Sequence, residues 1–160
     1  METGAIAESA WAATRNGRPE VGASAEMART TSEQDVVAFS EMTGDRNPLH
    51  YDREAAEHSV FGRLIVQGGV TTGLLNAVVA ELLPGPGTVF LGVEWKFVRA
   101  VGIGETITAR VEVLSVRDDK PIATLSTTIR NADGEACLTG TATTYTVPLE
   151  RRSRDRAEIN

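Results

Sequence analysis

The spacing of hydrophobic residues changes along the chain, and these changes predict where helices give way to strands. Over residues 70–83 apolar side chains occupy most of a helix circumference, so this stretch is expected to form a buried helix that ends at Pro84. From Val89 onward apolar residues recur at every second position, which is typical of strands. Four such segments follow, near residues 89–97, 107–113, 122–129 and 136–147.

Two shorter helices are predicted upstream of the long one. Capping hydroxyls and first-turn acids over residues 31–35 indicate a helix start, and Gly44 suits its end. Residues 51–58 are expected to form a second short helix. Because the apolar face of an antiparallel sheet has to be covered, the pattern predicts a single α+β domain whose sheet wraps around the long helix.

Both ends of the chain lack a sustained apolar period. Residues 1–30 are rich in Ala, Gly, Ser and Thr and are predicted to be a flexible extension, in which Trp11 is the residue able to dock on the body. Residues 149–160 are almost wholly polar and are predicted to be a solvated tail. The predicted domain therefore spans residues 31–148.

Length and charge narrow the possible functions. A chain of 160 residues with 41% hydrophobic residues is the size of one domain with a substantial core. Its 16 basic residues against 22 acidic ones give a net charge of -6, and there is no basic run in the predicted domain. Such a balance does not predict binding to a nucleic-acid backbone.

The sequence also argues against a membrane span and a metal site. The longest apolar stretch is short and carries Asn76 and Glu81, so it is not expected to cross a bilayer. The single cysteine, Cys137, fits a reducing compartment, and acids interrupt the Ala-rich start of the chain, so a cytoplasmic location is expected. His58 has no cysteine or acid at zinc-ligand spacing, so no metal is predicted.

The polar segment of residues 43–50 has two interpretations. Gly44, Asp45, Asn47 and Pro48 are ordinary turn residues, because short polar side chains bond to nearby backbone and proline fixes φ. Alternatively, Pro48 bends the chain so that Asp45 and His50 face each other and hold one water between carboxylate and imidazole. That arrangement is typical of general acid–base catalysis.

The glycines at positions 68 and 69 are the second candidate feature. They precede the long helix, and N–H groups at a helix start can stabilise developing negative charge. The alternative is that the pair only permits a tight turn and close packing. A phosphate-binding loop fits less well, since no Lys-Ser or Lys-Thr follows the glycines.

One long motif and three short ones occur together in this chain. The run Thr-Gly-Asp-Arg-Asn-Pro-Leu-His-Tyr-Asp lies at residues 43–52, Phe-Gly at 61–62, Ile-Val-Gln-Gly at 65–68 and Asp-Lys-Pro-Ile-Ala-Thr-Leu at 119–125. Together they resemble the MaoC-like (R)-specific enoyl-CoA hydratases over residues 32–147. The resemblance implies a hotdog fold, reversible hydration of a 2-enoyl thioester, and no cofactor.

The same resemblance assigns roles to individual residues. Asp45 and His50 match the catalytic pair, Gly68 matches the glycine whose N–H binds the thioester oxygen, and Asn47 matches a residue that braces the loop. Two supporting positions depart from the family pattern. Gln67 stands where histidine is common, and Asn76 stands where a serine can occur, although both replacements stay polar.

Three functions are compatible with these residues. The Asp-x4-His motif favours a hydratase, a hydro-lyase acting on an acyl-CoA or acyl-carrier-protein thioester. A thioesterase of the same fold and a non-catalytic acyl-CoA-binding module are the alternatives. A homodimer is also expected, because the strand over residues 88–97 carries large apolar side chains that one helix cannot cover, and the hotdog resemblance implies sheets paired edge to edge.

Overall fold

The computed structural model describes residues 9–149. Within them a five-stranded, wholly antiparallel sheet has the strand order β1-β3-β4-β5-β2. The predicted α+β class is confirmed, while most of the polar tail predicted over residues 149–160 lies outside the described residues. The elements in chain order are β1 (Ser24–Thr30), α1 (Glu33–Thr43), a 3₁₀ helix (Pro48–His50), α2 (Arg53–His58), α3 (Gly68–Glu81), β2 (Thr88–Phe97), β3 (Thr106–Val116), β4 (Ile122–Asn131) and β5 (Ala136–Thr146).

The long helix α3 lies on one face of the sheet and forms the core with it. Leu75, Val78 and Val79 of α3 are buried and belong to the same apolar cluster as inward-facing residues of the strands, among them Val111 and Leu125. The opposite side of α3 is more open than its all-round hydrophobicity predicts. No helix within residues 9–149 combines the length and the apolar character needed to cross a membrane.

Helix α1 begins and ends where its cap residues predict. Ser32 and Asp35 form a reciprocal capping box at the start, and Gly44 adopts the left-handed conformation at the end, with φ 84°. Arg29 of β1 also bonds to the Asp35 carboxylate, and this contact holds the pKa of Asp35 below its usual range. One side chain therefore caps α1 and ties it to the neighbouring strand.

The prediction that residues 1–30 form a flexible extension is wrong for the part that the structure describes. Ser24–Thr30 is a strand that pairs with Thr106–Glu112 of β3. Ala25 and Met27 pack against the core, whereas the remaining residues of β1 are exposed. The apolar spacing is weak here because an edge strand with two modest inward side chains carries almost no pattern.

Trp11 anchors the segment before β1, as predicted for this residue. Its side chain is 1% exposed and belongs to the core cluster. The indole Nε1–H donates to the carbonyl of Arg117, 2.7 Å away, immediately after β3. Because a buried tryptophan needs a partner for its N–H, this bond makes full burial of the ring possible.

Strand β2 departs from the strict alternation predicted for it. The register with β5 shifts between Phe90 and Gly92, so Leu91 is an extra, bulged residue. The bulge brings Phe90 and Trp95, which have opposite parity in the sequence, into edge-to-face contact with ring centroids 5.7 Å apart. Both rings pack against the core, while much of the rest of β2 is exposed.

Replacing Trp11 is expected to destabilise the whole domain. Trp11→Ala should lower the free energy of unfolding by about 3–5 kcal/mol, as is usual when a large buried aromatic side chain is removed. Chemical denaturation of the full chain followed by circular dichroism measures the change. Val21→Ala, in the same segment but 61% exposed, is the matched control and should stay within about 0.5 kcal/mol of the parent. Equal stability of Trp11→Ala and the parent would contradict the docked segment.

Candidate active site

The loop after α1 is built from two successive side-chain turns. Asp45 Oδ1 accepts the Asn47 N–H at 3.1 Å, and Asn47 Oδ1 accepts the Leu49 N–H at 3.2 Å. The second bond caps the 3₁₀ helix, and Pro48 occupies its first position. The turn interpretation of this segment is confirmed, and the same turns carry the chain from Asp45 round to His50.

Asp45 and His50 face each other across this loop. Asp45 Oδ2 lies 3.8 Å from His50 Nε2, and the two side chains are 40% and 8% exposed. The other ring nitrogen, Nδ1, lies 2.7 Å from the carbonyl oxygen of Ile65. Because a carbonyl can only accept, Nδ1 carries the hydrogen, and in the neutral ring Nε2 is a free acceptor.

The separation of the two side chains suits a bridging water. At 3.8 Å they are too far apart for a direct hydrogen bond, and a carboxylate and a bare Nε2 are both acceptors. A water molecule can donate one hydrogen to each group and keep its lone pairs free for attack. Chemically, this pair can hold and deprotonate a nucleophilic water.

Gly68 starts α3 beside a mainly apolar pocket. The N-cap residue Gln67 makes no side-chain capping bond, and among the first-turn N–H groups that of Val70 donates to the Gln67 carbonyl. A Cβ on Gly68 would come within 2.9 Å of the Phe97 ring, and one on Gly69 within 2.2 Å of the Phe39 ring. The close-packing interpretation of the glycine pair is therefore confirmed, and the role of the Gly68 N–H stays a prediction.

The pocket has a volume of about 400 Å³ and is lined by Gly68 together with Phe61, Ile65, Val66, Thr71, Phe97, Val98, Arg99, Ala100, Val101 and Cys137.

Residues 15–133 match the family model described as MaoC like domain. The (R)-specific enoyl-CoA hydratase of Aeromonas caviae is 39% identical to this chain over 77% of the chain and 92% of its own length. The 3-hydroxybutyryl-CoA dehydratase of Methylorubrum extorquens is 38% identical, over 77% of this chain and 78% of its own length. The chain belongs to the MaoC-like family.

A solved structure agrees with this assignment. The (R)-hydratase from A. caviae involved in PHA biosynthesis aligns with 81% of this chain and 98% of its own, with a TM-score of 0.77 and 37% sequence identity. The predicted hotdog fold is confirmed. Because the family match begins at residue 15, the MaoC-like domain starts before the boundary predicted at residue 31.

Gln67 lies at the centre of a polar cluster that the sequence did not predict. Its side chain is buried, and Nε2 donates to the Val36 carbonyl and to Ser40 Oγ, at 3.1 Å each. Ser40 Oγ in turn donates to the Asp45 carbonyl, and the Tyr51 hydroxyl bonds to Ser40 Oγ. The one sequence signal for Ser40 is a hydroxyl four positions after Val36, on the buried face of α1.

Asn76 is not brought to the Asp45–His50 pair within the described chain. It is exposed more than two turns along α3 from Gly68. It lines a separate groove between α1 and α3, together with Phe39 and Met42. A supporting role for Asn76 in the MaoC-like site therefore stays a prediction.

Cys137 lies in the wall of the pocket beside Gly68 but is a poor nucleophile. Its side chain is buried, and burial raises the pKa of the thiol, so it stays protonated at neutral pH. Within residues 9–149 no group of three or more His, Cys, Asp or Glu side chains is placed to hold a metal ion.

The tautomer of His50 can be measured directly. For the neutral His50 ring, the Nδ1-protonated form is expected, because only that form donates to the Ile65 carbonyl. Its Nδ1–H should exchange slowly with water, since the side chain is buried, and nitrogen-15 NMR of the two histidines reports both properties. His58 is the internal control, because it makes the analogous bond to Glu54 O while remaining exposed. An Nε2-protonated His50 would contradict the proposed orientation of the ring.

Proposed function

We propose that this protein catalyses the reversible addition of water to a trans-2-enoyl-CoA, giving the (R)-3-hydroxyacyl-CoA. The observation that carries the proposal is the facing pair of acceptors, Asp45 Oδ2 and His50 Nε2, 3.8 Å apart. They occur in a MaoC-like chain that is 39% identical to an (R)-specific enoyl-CoA hydratase. The enzyme class is accordingly a hydro-lyase.

Asp45 is the base that activates the water in this proposal. The water donates a hydrogen bond to the Asp45 carboxylate and another to His50 Nε2. As its oxygen forms a bond to the β-carbon of the enoyl group, one O–H bond breaks and that proton passes to Asp45. The electron pair of the double bond moves toward the thioester, and the α-carbon then takes up a proton. The pair can return that proton, so water is consumed and no other reactant is needed.

Gly68 is assigned to the thioester oxygen. Attack at the β-carbon places negative charge on this oxygen, and a preorganised N–H at a helix start stabilises that charge. Removing one such donor typically costs about 100- to 1000-fold in turnover. The mainly apolar walls of the adjoining pocket support the assignment, because electrostatic stabilisation is stronger where water is excluded.

The two alternative functions are less well supported. A thioesterase would direct the water at the thioester carbonyl, whereas the two relatives compared above are named as a hydratase and a dehydratase. A non-catalytic binding module has no need for a buried imidazole held opposite a carboxylate. The paired acceptors are what hydration requires, so we place hydratase activity first.

The carrier and the compartment complete the proposal. We favour CoA over acyl carrier protein, because the names of the two relatives compared above, from Aeromonas caviae and Methylorubrum extorquens, both specify CoA. We place the protein in the cytoplasm on the support of Cys137, the one cysteine of the chain, which is buried as a free thiol.

Replacing either member of the pair is expected to abolish most hydration. Asp45→Asn and His50→Ala should each lower turnover of crotonyl-CoA by about 100-fold or more, because each removes one of the two groups that hold the water. The double variant should lose little more than the worse single variant, since both groups serve one water. Loss of the enoyl absorbance measures the rate, and His58→Ala is the matched control, expected to keep parent activity.

The same assay separates the alternatives. Release of free thiol without loss of the enoyl group would indicate a thioesterase, and substrate binding without either change would indicate a binding module. Coupling to an (S)-specific 3-hydroxyacyl-CoA dehydrogenase tests the stereochemistry. Rapid NADH formation in that coupled assay would contradict the (R) product.

We further propose that two copies pair through β2. This strand is one of the two sheet edges, and four of its apolar residues are each at least 43% exposed: Val89, Leu91, Val93 and Phe97. An edge with unpaired backbone groups and exposed apolar side chains is a template for another strand. A second copy of β2 pairs these backbone groups and covers these apolar side chains in a closed two-fold arrangement.

The assembly can be tested with two leucines in equivalent settings. Leu91 and Leu114 both lie at register shifts, in β2 and β3, and are 58% and 46% exposed. Light scattering coupled to size exclusion should give twice the mass of one 17.1 kDa chain for the parent and for Leu114→Asp. Leu91→Asp is expected to give the single-chain mass, because it buries a charge in the pairing. A single-chain mass for the parent would overturn the proposal.

A further inference from the structure

The polar cluster around Gln67 consists of the Gln67, Ser40 and Tyr51 side chains with the carbonyl groups of Val36 and Asp45. Gln67 is 2% exposed and Ser40 1% exposed, so these bonds are shielded from water. The cluster joins residues that are far apart in the chain, from α1 to the segment that leads into α3. It ends on the backbone of Asp45, one of the two proposed catalytic residues.

The direction of every bond in the Gln67 cluster follows from its last acceptor. The Asp45 carbonyl can only accept, so the single Ser40 hydrogen is committed to it, at 2.5 Å. Ser40 Oγ must then accept from both Gln67 Nε2 and the Tyr51 hydroxyl, whose oxygen also lies 3.3 Å from the Val36 carbonyl. The second Nε2 hydrogen goes to the Val36 carbonyl. Flipping the Gln67 amide would set an oxygen against these acceptors, so its orientation is determined.

This orientation leaves one group without a partner. Gln67 Oε1 is buried and has no hydrogen-bond partner among the described residues. An unpaired buried acceptor lowers the stability of the folded state, and an apolar side chain of the same shape would avoid this loss. The two donor contacts of Nε2 are therefore the reason a carboxamide suits this position.

The short segment of residues 65–67 holds both members of the proposed pair. The Ile65 carbonyl accepts directly from His50 Nδ1. Two residues later, Gln67 reaches the Asp45 backbone through Ser40. The Asp45 carboxylate is 40% exposed and Oδ1 accepts the Asn47 N–H, so the position of Oδ2 depends on how firmly the backbone of residues 45–47 is held.

We propose that Gln67 is a positioning residue for Asp45 and acts through Ser40 Oγ. The proposal rests on the hydratase function proposed above. Gln67 does not touch the reacting atoms; it keeps the peptide after Asp45 in the orientation that sets the carboxylate 3.8 Å from His50. Losing it should lower kcat and leave KM nearly unchanged, because the pocket that binds the thioester is lined by other side chains.

The test compares Gln67→Met and Ser40→Ala with the parent on crotonyl-CoA. Each is expected to lower kcat by about 10- to 100-fold, since small misplacements of reacting groups have effects of that size. KM should change by less than about 3-fold. Ser40→Thr keeps the hydroxyl and should restore most of kcat. Gln34→Met makes the same chemical change on the exposed side of α1 and should keep parent kinetics.

A double-mutant cycle separates positioning from a general loss of stability. In an Asp45→Asn background, Gln67→Met should have almost no further effect on kcat, because the carboxylate that it positions is already absent. The combination of Gln67→Met with Ser40→Ala should match the worse single variant. A full additional loss in either combination, or parent kcat in both single variants, would overturn the proposal. If Gln67→Met does not fold, the smaller change Ser40→Ala and its rescue by Ser40→Thr decide.

A crystal structure of Ser40→Ala gives an answer that does not depend on activity. The separation of Asp45 Oδ2 and His50 Nε2 should differ from that in a parent crystal by more than coordinate error, and an unchanged separation would overturn the positioning role. An inactive parent with an altered separation in the variant would instead overturn the hydratase function while supporting the positioning role.

Discussion

Burial of α3 against one face of the sheet is the interaction on which the rest of the molecule depends. Leu75, Val78 and Val79 are shielded from solvent by this contact, as are the inward-facing side chains of the central strands. Because the sheet occupies that side of α3, α1 packs on the side of α3 that faces away from the sheet. The contact between α1 and α3 is close because Gly69, at the start of α3, leaves room for the Phe39 ring of α1 to lie directly on the helix. The position of α1, and of the loop that follows it, therefore follows from that of α3.

The loop that carries Asp45 and His50 needs further restraint if these two side chains are to keep a fixed geometry. The turns formed by Asp45 and Asn47 are local, and both side chains are open to solvent. Restraint comes instead from the chain just before α3, where the Ile65 carbonyl holds the His50 ring. Groups that hold a water for attack gain from being set in place before the substrate arrives, because reorganisation then costs nothing during the reaction.

Features fixed by local chemistry could be predicted from the sequence, and features fixed by distant contacts could not. The limits of α1 follow from Ser32 and Gly44, whose capping bonds lie within a few residues of each other. Strand β1 was missed because its pairing with β3 joins segments about eighty positions apart. The bond between Gln67 and Ser40 spans 27 positions and leaves no periodic signal. The candidate pair was found because both members lie in one short motif.

The two edges of the sheet differ in chemistry. Strand β1 has only seven residues, its outer positions include Glu26 and Thr30, and Arg29 is engaged by Asp35 of α1. Short, charged edges of this kind do not recruit further strands. In the proposed dimer, the described part of each copy therefore has a single side, the apolar edge at β2, that can add a strand. Strand addition ends once two such sides have met, so the chain can pair without growing into a fibre.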